Sequence, residues 1–131
     1  MEHVSEAEKP ENRISGIILD AAIAVHSEIG PGLLESAYEA CLAYELRNRG
    51  LNLQLQVPLP IRAIKIDVAY RLDILVDDLV IVEIKAIERL LPIHEAQLLS
   101  YLKLSNKRLG LLINFHMLRL KEGYKRIANG L

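Results

Sequence analysis

From Asn12 onward apolar residues recur at helical spacing: Ile14, Ile17, Ile18, Ala21, Ala22, Val25 and Ile29 fall on the i, i+3, i+4, i+7 positions of one face. The Gly30-Pro31-Gly32 cluster ends that helix. A second helix follows at once, with Leu34, Ala37, Tyr38, Cys41, Leu42 and Leu46 as its apolar face and Gly50 where a C-terminal cap belongs. Beyond Gly50 the period shortens to that of strands, predicted over residues 52–57, 61–66, 69–76 and 79–86. Pro58 and Pro60 lack the amide hydrogen that a ladder needs, which assigns the first pair to a sheet edge. The run from Leu79 to Ala86 is apolar on both faces until its end, as a central strand covered by helices should be. Pro92 suits the first turn of a third helix, with Leu98, Leu99 and Leu102 on its buried stripe, and Leu109 to Phe115 reads as another buried strand. A short basic tail, for which a helix is one reading, completes the chain.

The order is therefore helix, helix, antiparallel strands, helix, strand. A strand that follows a crossover helix should lie parallel to the strand before it, so the pattern predicts an α/β fold, a mixed sheet flanked by helices. Residues 1–11 are expected to be a flexible N-terminus and residues 12–131 a single domain. A length of 131 residues with 51% hydrophobic and 25% charged side chains is what one packed core requires.

Cys41 is the only cysteine, so an intrachain disulfide and a cysteine-based zinc cluster are both excluded. Among Ala40, Leu42 and Ala43 it reads as a small buried hydrophobe. No apolar run reaches the roughly 18 residues of a membrane span, and the start MEHVSEAEKPEN is acidic and polar, so a cytoplasmic protein without membrane attachment is expected. The net charge of -1 argues against strong attraction of the whole molecule to nucleic acid. The charge is unevenly spread, however: acidic residues prevail over Lys9 and Arg13 up to residue 45, while Lys103, Lys107, Arg108, Arg119, Lys121, Lys125 and Arg126 face only Glu122 beyond residue 100. Such a basic face meets phosphates, or is simply a solvated helix and tail.

Three ionisable residues interrupt the strands where they should be most apolar: Asp73 in YRLDILV, then Glu83 and Lys85 in LVIVEIKA. Alternation sends Glu83 and Lys85 to one face. Buried charges are costly unless paired or bound to a metal. A two-residue turn at Asp77-Asp78 would set Asp73 against Val82, with the carboxylates on opposite faces. A three-residue loop over Asp77, Asp78 and Leu79 sets Asp73 directly opposite Glu83. Opposed carboxylates repel, and a hard divalent ion held by both, by waters and by the Ile84 carbonyl relieves the repulsion. The plain alternative is a surface Glu83–Lys85 pair with Asp73 ending a solvent-facing strip.

Asp73 followed by Glu83-Ile84-Lys85 resembles the active-site signature of the PD-(D/E)XK nuclease superfamily, and the element order is similar to its restriction-endonuclease-like αβββαβ core. Gly32-Leu33-Leu34-Glu35-Ser36-Ala37-Tyr38 is similar to the motif that names the GxxExxY family within it. The likeness extends through QVPLP, YRLDILV, VIVEIKA, LPIHEAQLLSYLKL and LGLLINF, whereas a bare acidic pair with a lysine arises by chance. Leu72 stands where the proline of the superfamily's name would be.

The resemblance implies metal-dependent hydrolysis of nucleic acid, DNA being expected before RNA, with Mg2+, or Mn2+ in its place, as cofactor. Asp73 and Glu83 would be metal ligands, and Lys85 would act on the attacking water and the developing phosphate charge. Glu35 would extend the metal shell, and Gln97 with Tyr101 would form a QxxxY element lining the site. Each has a structural alternative: Glu35 as a charge favoured at a helix N-terminus, Tyr101 as a half-buried core aromatic. His26 and His94, both near helix ends, are candidates for phosphate or carboxylate contacts or for structural hydrogen bonds. Against the enzyme stands a non-catalytic nucleic-acid or protein interaction module on the same fold, and a homo-oligomer or a place in a larger complex stays open.

Overall fold

The computed structural model describes residues 9–60 and 69–131. Helices α1 (Pro10–Ile29) and α2 (Glu35–Asn48) precede strands β1 (Leu53–Pro60), β2 (Ala69–Val76) and β3 (Val80–Lys85), then helix α3 (Pro92–Ser105), strand β4 (Leu109–Asn114), a 3-10 turn over Leu120–Gly123 and strand β5 (Tyr124–Ala128). The sheet order is β1-β2-β3-β4-β5, antiparallel except for the parallel β3–β4 pair that α3 connects. This is the expected mixed sheet flanked by helices. The strand expected over residues 61–66 lies outside the described residues.

Alternation divides the apolar side chains between two cores. Ile74, Val76, Val80, Val82, Ile84, Leu111 and Ile113 pack under α1 and α2 with Ile18, Ala22, Tyr38 and Leu42, while Leu75, Ile81 and Leu112 face Leu98, Tyr101 and Leu102 of α3. The second layer is tight at Gly110, where a Cβ would stand 2.9 Å from the Leu98 side chain, so a glycine there lets α3 rest on β4.

The helix ends follow their sequence signals. At the end of α2, Gly50 adopts a φ of +84°, its N–H bonds to Arg47 O and Leu51 N–H reaches Leu46 O, the paired bonds of a Schellman motif. α1 begins at Pro10, two residues before the expected Asn12, because proline is preset for the first turn and Glu11, 4% exposed, accepts a 3.1 Å bond from Arg108 Nε.

Two expectations are corrected. Cys41 is exposed, and Leu34 is 76% exposed: the buried stripe of α2 is Tyr38, Leu42, Ala43 and Leu46, which leaves Cys41 on the outer flank and Leu34 ahead of the first turn. The basic tail is a strand. β4 is wholly buried, and its second edge would hold unpaired N–H and C=O groups without β5 alongside from Leu109↔Ala128 to Ile113↔Tyr124.

Candidate active site

The β2–β3 hairpin sets the geometry. Asp77 and Asp78 take left-handed φ values of 49° and 56°, which aspartate tolerates better than most residues, and Leu79 N–H closes on Val76 O at 3.0 Å. The loop thus spans Asp77 to Leu79, and the ladder runs Val76↔Val80, Leu75↔Ile81, Ile74↔Val82. Asp77 also exchanges bonds with Asn52, and Lys107 Nζ meets Asp78 Oδ1 at 3.0 Å, so the loop is fixed from two sides.

The next pair in this register is Asp73 and Glu83, and there side chains replace the main-chain ladder. Asp73 N–H donates to Glu83 Oε1 at 3.3 Å, and Ile84 N–H donates to Asp73 Oδ2 at 2.8 Å. β2 also turns about its axis: Leu72 packs in the same core as Leu75, which strict alternation would forbid. β2 and β3 therefore open as a fork, with the Asp73 carboxylate bonded across it to the Ile84 N–H. Because N–H and C=O of one strand residue point the same way, the Ile84 carbonyl is directed toward this side as well.

Glu83 is 7% exposed. Burial, then the adjacent Asp73 charge and a hydrogen bond between the two carboxyl groups, push its pKa up to about 9; Lys85, half-buried two residues on, acts in the opposite direction. Tyr101 approaches from α3, its ring 5.7 Å from that of Tyr70, and its phenol is raised to about 12 by burial and by the charge of Glu83, with Tyr70 and Asp73 adding less. Gln97, one turn earlier, is exposed and makes no hydrogen bond to the carboxylate pair.

On the α2 side the fork opens into a cleft of about 560 Å³ lined by Glu35, Glu39, Gln56, Asp73, Ile84 and Ala86 among others. Glu35 Oε1 accepts the Ala86 N–H at 3.3 Å and so ties the start of α2 to the exit of β3. Tyr38 donates to Gly30 O at 2.7 Å, accepts from Leu33 N–H at 3.1 Å and stacks on Phe115 with centroids 4.6 Å apart, fixing the loop that leads into Glu35. Both named side chains of the Gly32–Tyr38 motif thus hold the cleft wall.

Among the described residues no group of three or more His, Cys, Asp or Glu side chains is arranged to hold a metal ion, so Glu35 is not gathered with the pair into one ligand set. The donor chemistry still suits a hard divalent cation. Mg2+ typically takes one or two carboxylates and leaves its other positions to water and phosphate oxygens, and Asp73, Glu83 and the Ile84 carbonyl supply such a partial oxygen set.

His26 and His94 each make a hydrogen bond to the main chain. His26 Nε2 donates to the Met117 carbonyl at 2.6 Å, and His94 Nδ1 accepts the Leu91 N–H at 2.9 Å as a cap on α3. The basic C-terminal set is largely engaged: Arg108 with Glu11, Lys107 with Asp78, Lys125 with Glu95 and Arg126 with Asn12, while Lys103, Arg119 and Lys121 stay exposed.

Sequence reasoning missed three residues. Gln56 Nε2 donates to Glu39 Oε1 at 2.7 Å and lies 3.5 Å from Asp73 Oδ1; the four-residue spacing of Glu35 and Glu39 on one helix face was the available signal for that wall. Asn114, fully buried at the end of β4, takes both Ile87 groups (N–H at 3.1 Å, C=O at 2.9 Å) and the His116 N–H at 3.2 Å, locking the chain just past Lys85. Asn114→Ala should therefore lower the unfolding free energy by about 2 kcal/mol, the typical cost of leaving buried polar groups unmet, as read from denaturant midpoints.

An α/β sheet whose parallel and antiparallel strands meet at an acidic fork, with a lysine two residues beyond, defines the restriction-endonuclease-like class of fold. The chain belongs to the PD-(D/E)XK nuclease superfamily, whose model matches residues 12–127. Nucleases of this superfamily generally use divalent metal ions, and membership implies a nucleic acid substrate. Neither the curated proteins nor the solved structures yield a significant match. No helix among the described residues is long and apolar enough to cross a membrane.

Proposed function

We propose that this chain hydrolyses phosphodiester bonds in nucleic acid, DNA in the first instance, with Mg2+ as working ion and Mn2+ as a substitute. The observation that carries the reading is the fork itself: two carboxyl groups meet where the main-chain ladder of β2 and β3 stops, and Lys85 follows on the strand. Asp73, Glu83 and the Ile84 carbonyl would hold the ion. A divalent ion bound there would polarise the scissile phosphate and lower the pKa of water.

The protein's own groups do the rest. Ile84 N–H holds Asp73 Oδ2 and leaves Oδ1 toward the cleft. Alternation puts Lys85 on the face of Glu83, where its ammonium can donate to the attacking water and to a phosphate oxygen. The Tyr101 phenol, protonated at neutral pH, is a donor beside the pair. Glu35 keeps the β3 exit in place through Ala86 and lines the cleft, and Gln97, on the exposed side of α3, is suited to touch the substrate strand. The Gly32–Tyr38 segment supports placement in the GxxExxY family, and the single, exposed Cys41 thiol suits a reducing, cytoplasmic setting.

Purified protein incubated with labelled single- and double-stranded DNA and RNA, in Mg2+, Mn2+ or EDTA, tests this beside Glu83→Ala. Cleavage should need the ion and fall about a hundredfold or more in the variant. Full cleavage in EDTA or by folded Glu83→Ala would overturn the reading, and ion-independent binding without turnover would point to a non-catalytic nucleic-acid module.

A further inference from the structure

Gln56 has an unusual backbone. Its φ is +51°, a left-handed value that L side chains adopt when their surroundings over-determine it, and neither glycine nor a tight turn explains it inside an eight-residue strand. The irregularity is local: Leu55↔Ile74 and Val57↔Leu72 pair on either side, while Gln56 and Asp73 between them drop out of the ladder. Both strands are thus deformed at the same level, and the deformation of β1 aims a carboxamide into the cleft at the residue that the deformation of β2 has turned toward it.

There the Gln56 amide nitrogen is anchored at 2.7 Å on Glu39 Oε1 and reaches Asp73 Oδ1 at 3.5 Å. Asp73 Oδ2 is already held at 2.8 Å by Ile84 N–H. One carboxylate oxygen is fixed by β3, and the other faces a donor steered from α2 by way of β1. A carboxamide is suited to this place, since it offers N–H donors to two carboxylates without bringing a charge of its own.

We infer that Gln56, steered by Glu39, is a positioning residue that sets the orientation of the Asp73 carboxylate at the fork; the inference rests on Asp73 being part of the ion-holding pair proposed above. Residues that orient a metal-binding carboxylate typically change ion affinity by tenfold or more when removed, with the fold intact.

Gln56→Gly and Gln56→Ala separate this role from a purely structural one. Glycine is at ease at φ +51°, so Gln56→Gly should fold at least as stably as the wild type. Two measurements on wild type and variants decide: amide hydrogen exchange, and Mn2+ binding by electron paramagnetic resonance. The Ile84 amide, whose acceptor is Asp73, should exchange about tenfold faster in Gln56→Gly while the core amides of Val82 and Leu111 keep their protection. The Mn2+ dissociation constant should rise about tenfold. Glu39→Ala should have the same effect and add little to Gln56→Gly, because the two act in series. Unchanged Ile84 protection and unchanged Mn2+ affinity in folded Gln56→Gly would overturn the inference, as would full additivity with Glu39→Ala. A wild type that binds Mn2+ but cleaves nothing would sink the nuclease reading and leave the positioning role standing. A wild type that binds no Mn2+ would sink the ion site, and Ile84 exchange would still decide whether Gln56 orients Asp73.

Discussion

Folded Lys85→Ala protein is expected to cleave nucleic acid about a hundredfold or more slowly than the wild type while binding Mn2+ and substrate almost as well. The ammonium lies two residues past Glu83 at the end of β3, half-buried, with Asn114 and Glu35 fixing the chain on its far side at Ile87 and Ala86. With the end of the strand fixed in this way, the ammonium would, on the reading proposed above, act on a water molecule and on charge that builds in the transition state, effects that typically contribute two or more orders of magnitude. Arginine should not restore the rate, because its planar fork is larger and its proton is not released. If Lys85 only offset the charge of Glu83, the variant would instead lose stability, and activity would fall in proportion to unfolded protein. Turnover, Mn2+ affinity and melting of one variant distinguish the two, and wild-type cleavage by folded Lys85→Ala would end its catalytic role.

The second large effect is on stability. Metal-free protein holds the Glu83 carboxyl against Asp73 in a buried fork, which pushes its pKa from 4.5 to about 9. The folded state therefore binds a proton that the unfolded state releases over that interval, so the contribution of this group to stability is full below about 4.5 and is lost as pH rises toward about 9. Glu83→Gln should flatten that dependence and melt higher than the wild type at pH 8 without metal. Mg2+ or Mn2+ should stabilise the wild type by mass action, by ~2.7 kcal/mol at about a hundred times the dissociation constant, a rise in Tm on the order of 10 °C for a domain of this size. Asp73→Asn and Glu83→Gln should both lose that gain. Melting curves that ignore millimolar ions, together with variants no more stable than the wild type in EDTA, would show that the carboxyl groups do not oppose each other as described.

The helices and the central strands were legible because their signals are local. Periodicity marked α1 to α3, a continuous apolar run marked β3 and β4, and the spacing of Asp73, Asp77-Asp78 and Glu83 posed the choice of loop length that the hairpin resolves. What stayed hidden depends on contacts far apart in sequence. Tyr124 to Ala128 alternates too weakly to announce a strand, and it becomes one because the buried edge of β4 needs partners. Pairings such as Glu11 with Arg108, and the bend at Gln56 toward Asp73, join segments that no local pattern connects. Cys41 departs from its expected burial for a related reason: small neighbours suggest burial, but the angular position on α2 decides it.

Among the described residues β1 and β5 are the outer strands of the sheet, and their edges bear on how the molecule meets copies of itself. An unpaired strand edge is a template on which another chain can add, and long flat edges lead to aggregation. Here β1 is kinked at Gln56 and has no amide hydrogen at Pro58 or Pro60, while β5 is five residues long and carries exposed Lys125 and Arg126. Each device interrupts the regular row of donors and acceptors that edge-to-edge pairing requires. Sheet extension from one copy to the next is thereby disfavoured at these edges, and the chain can keep a strongly aliphatic, half-hydrophobic composition without offering a neighbour an easy strand to join.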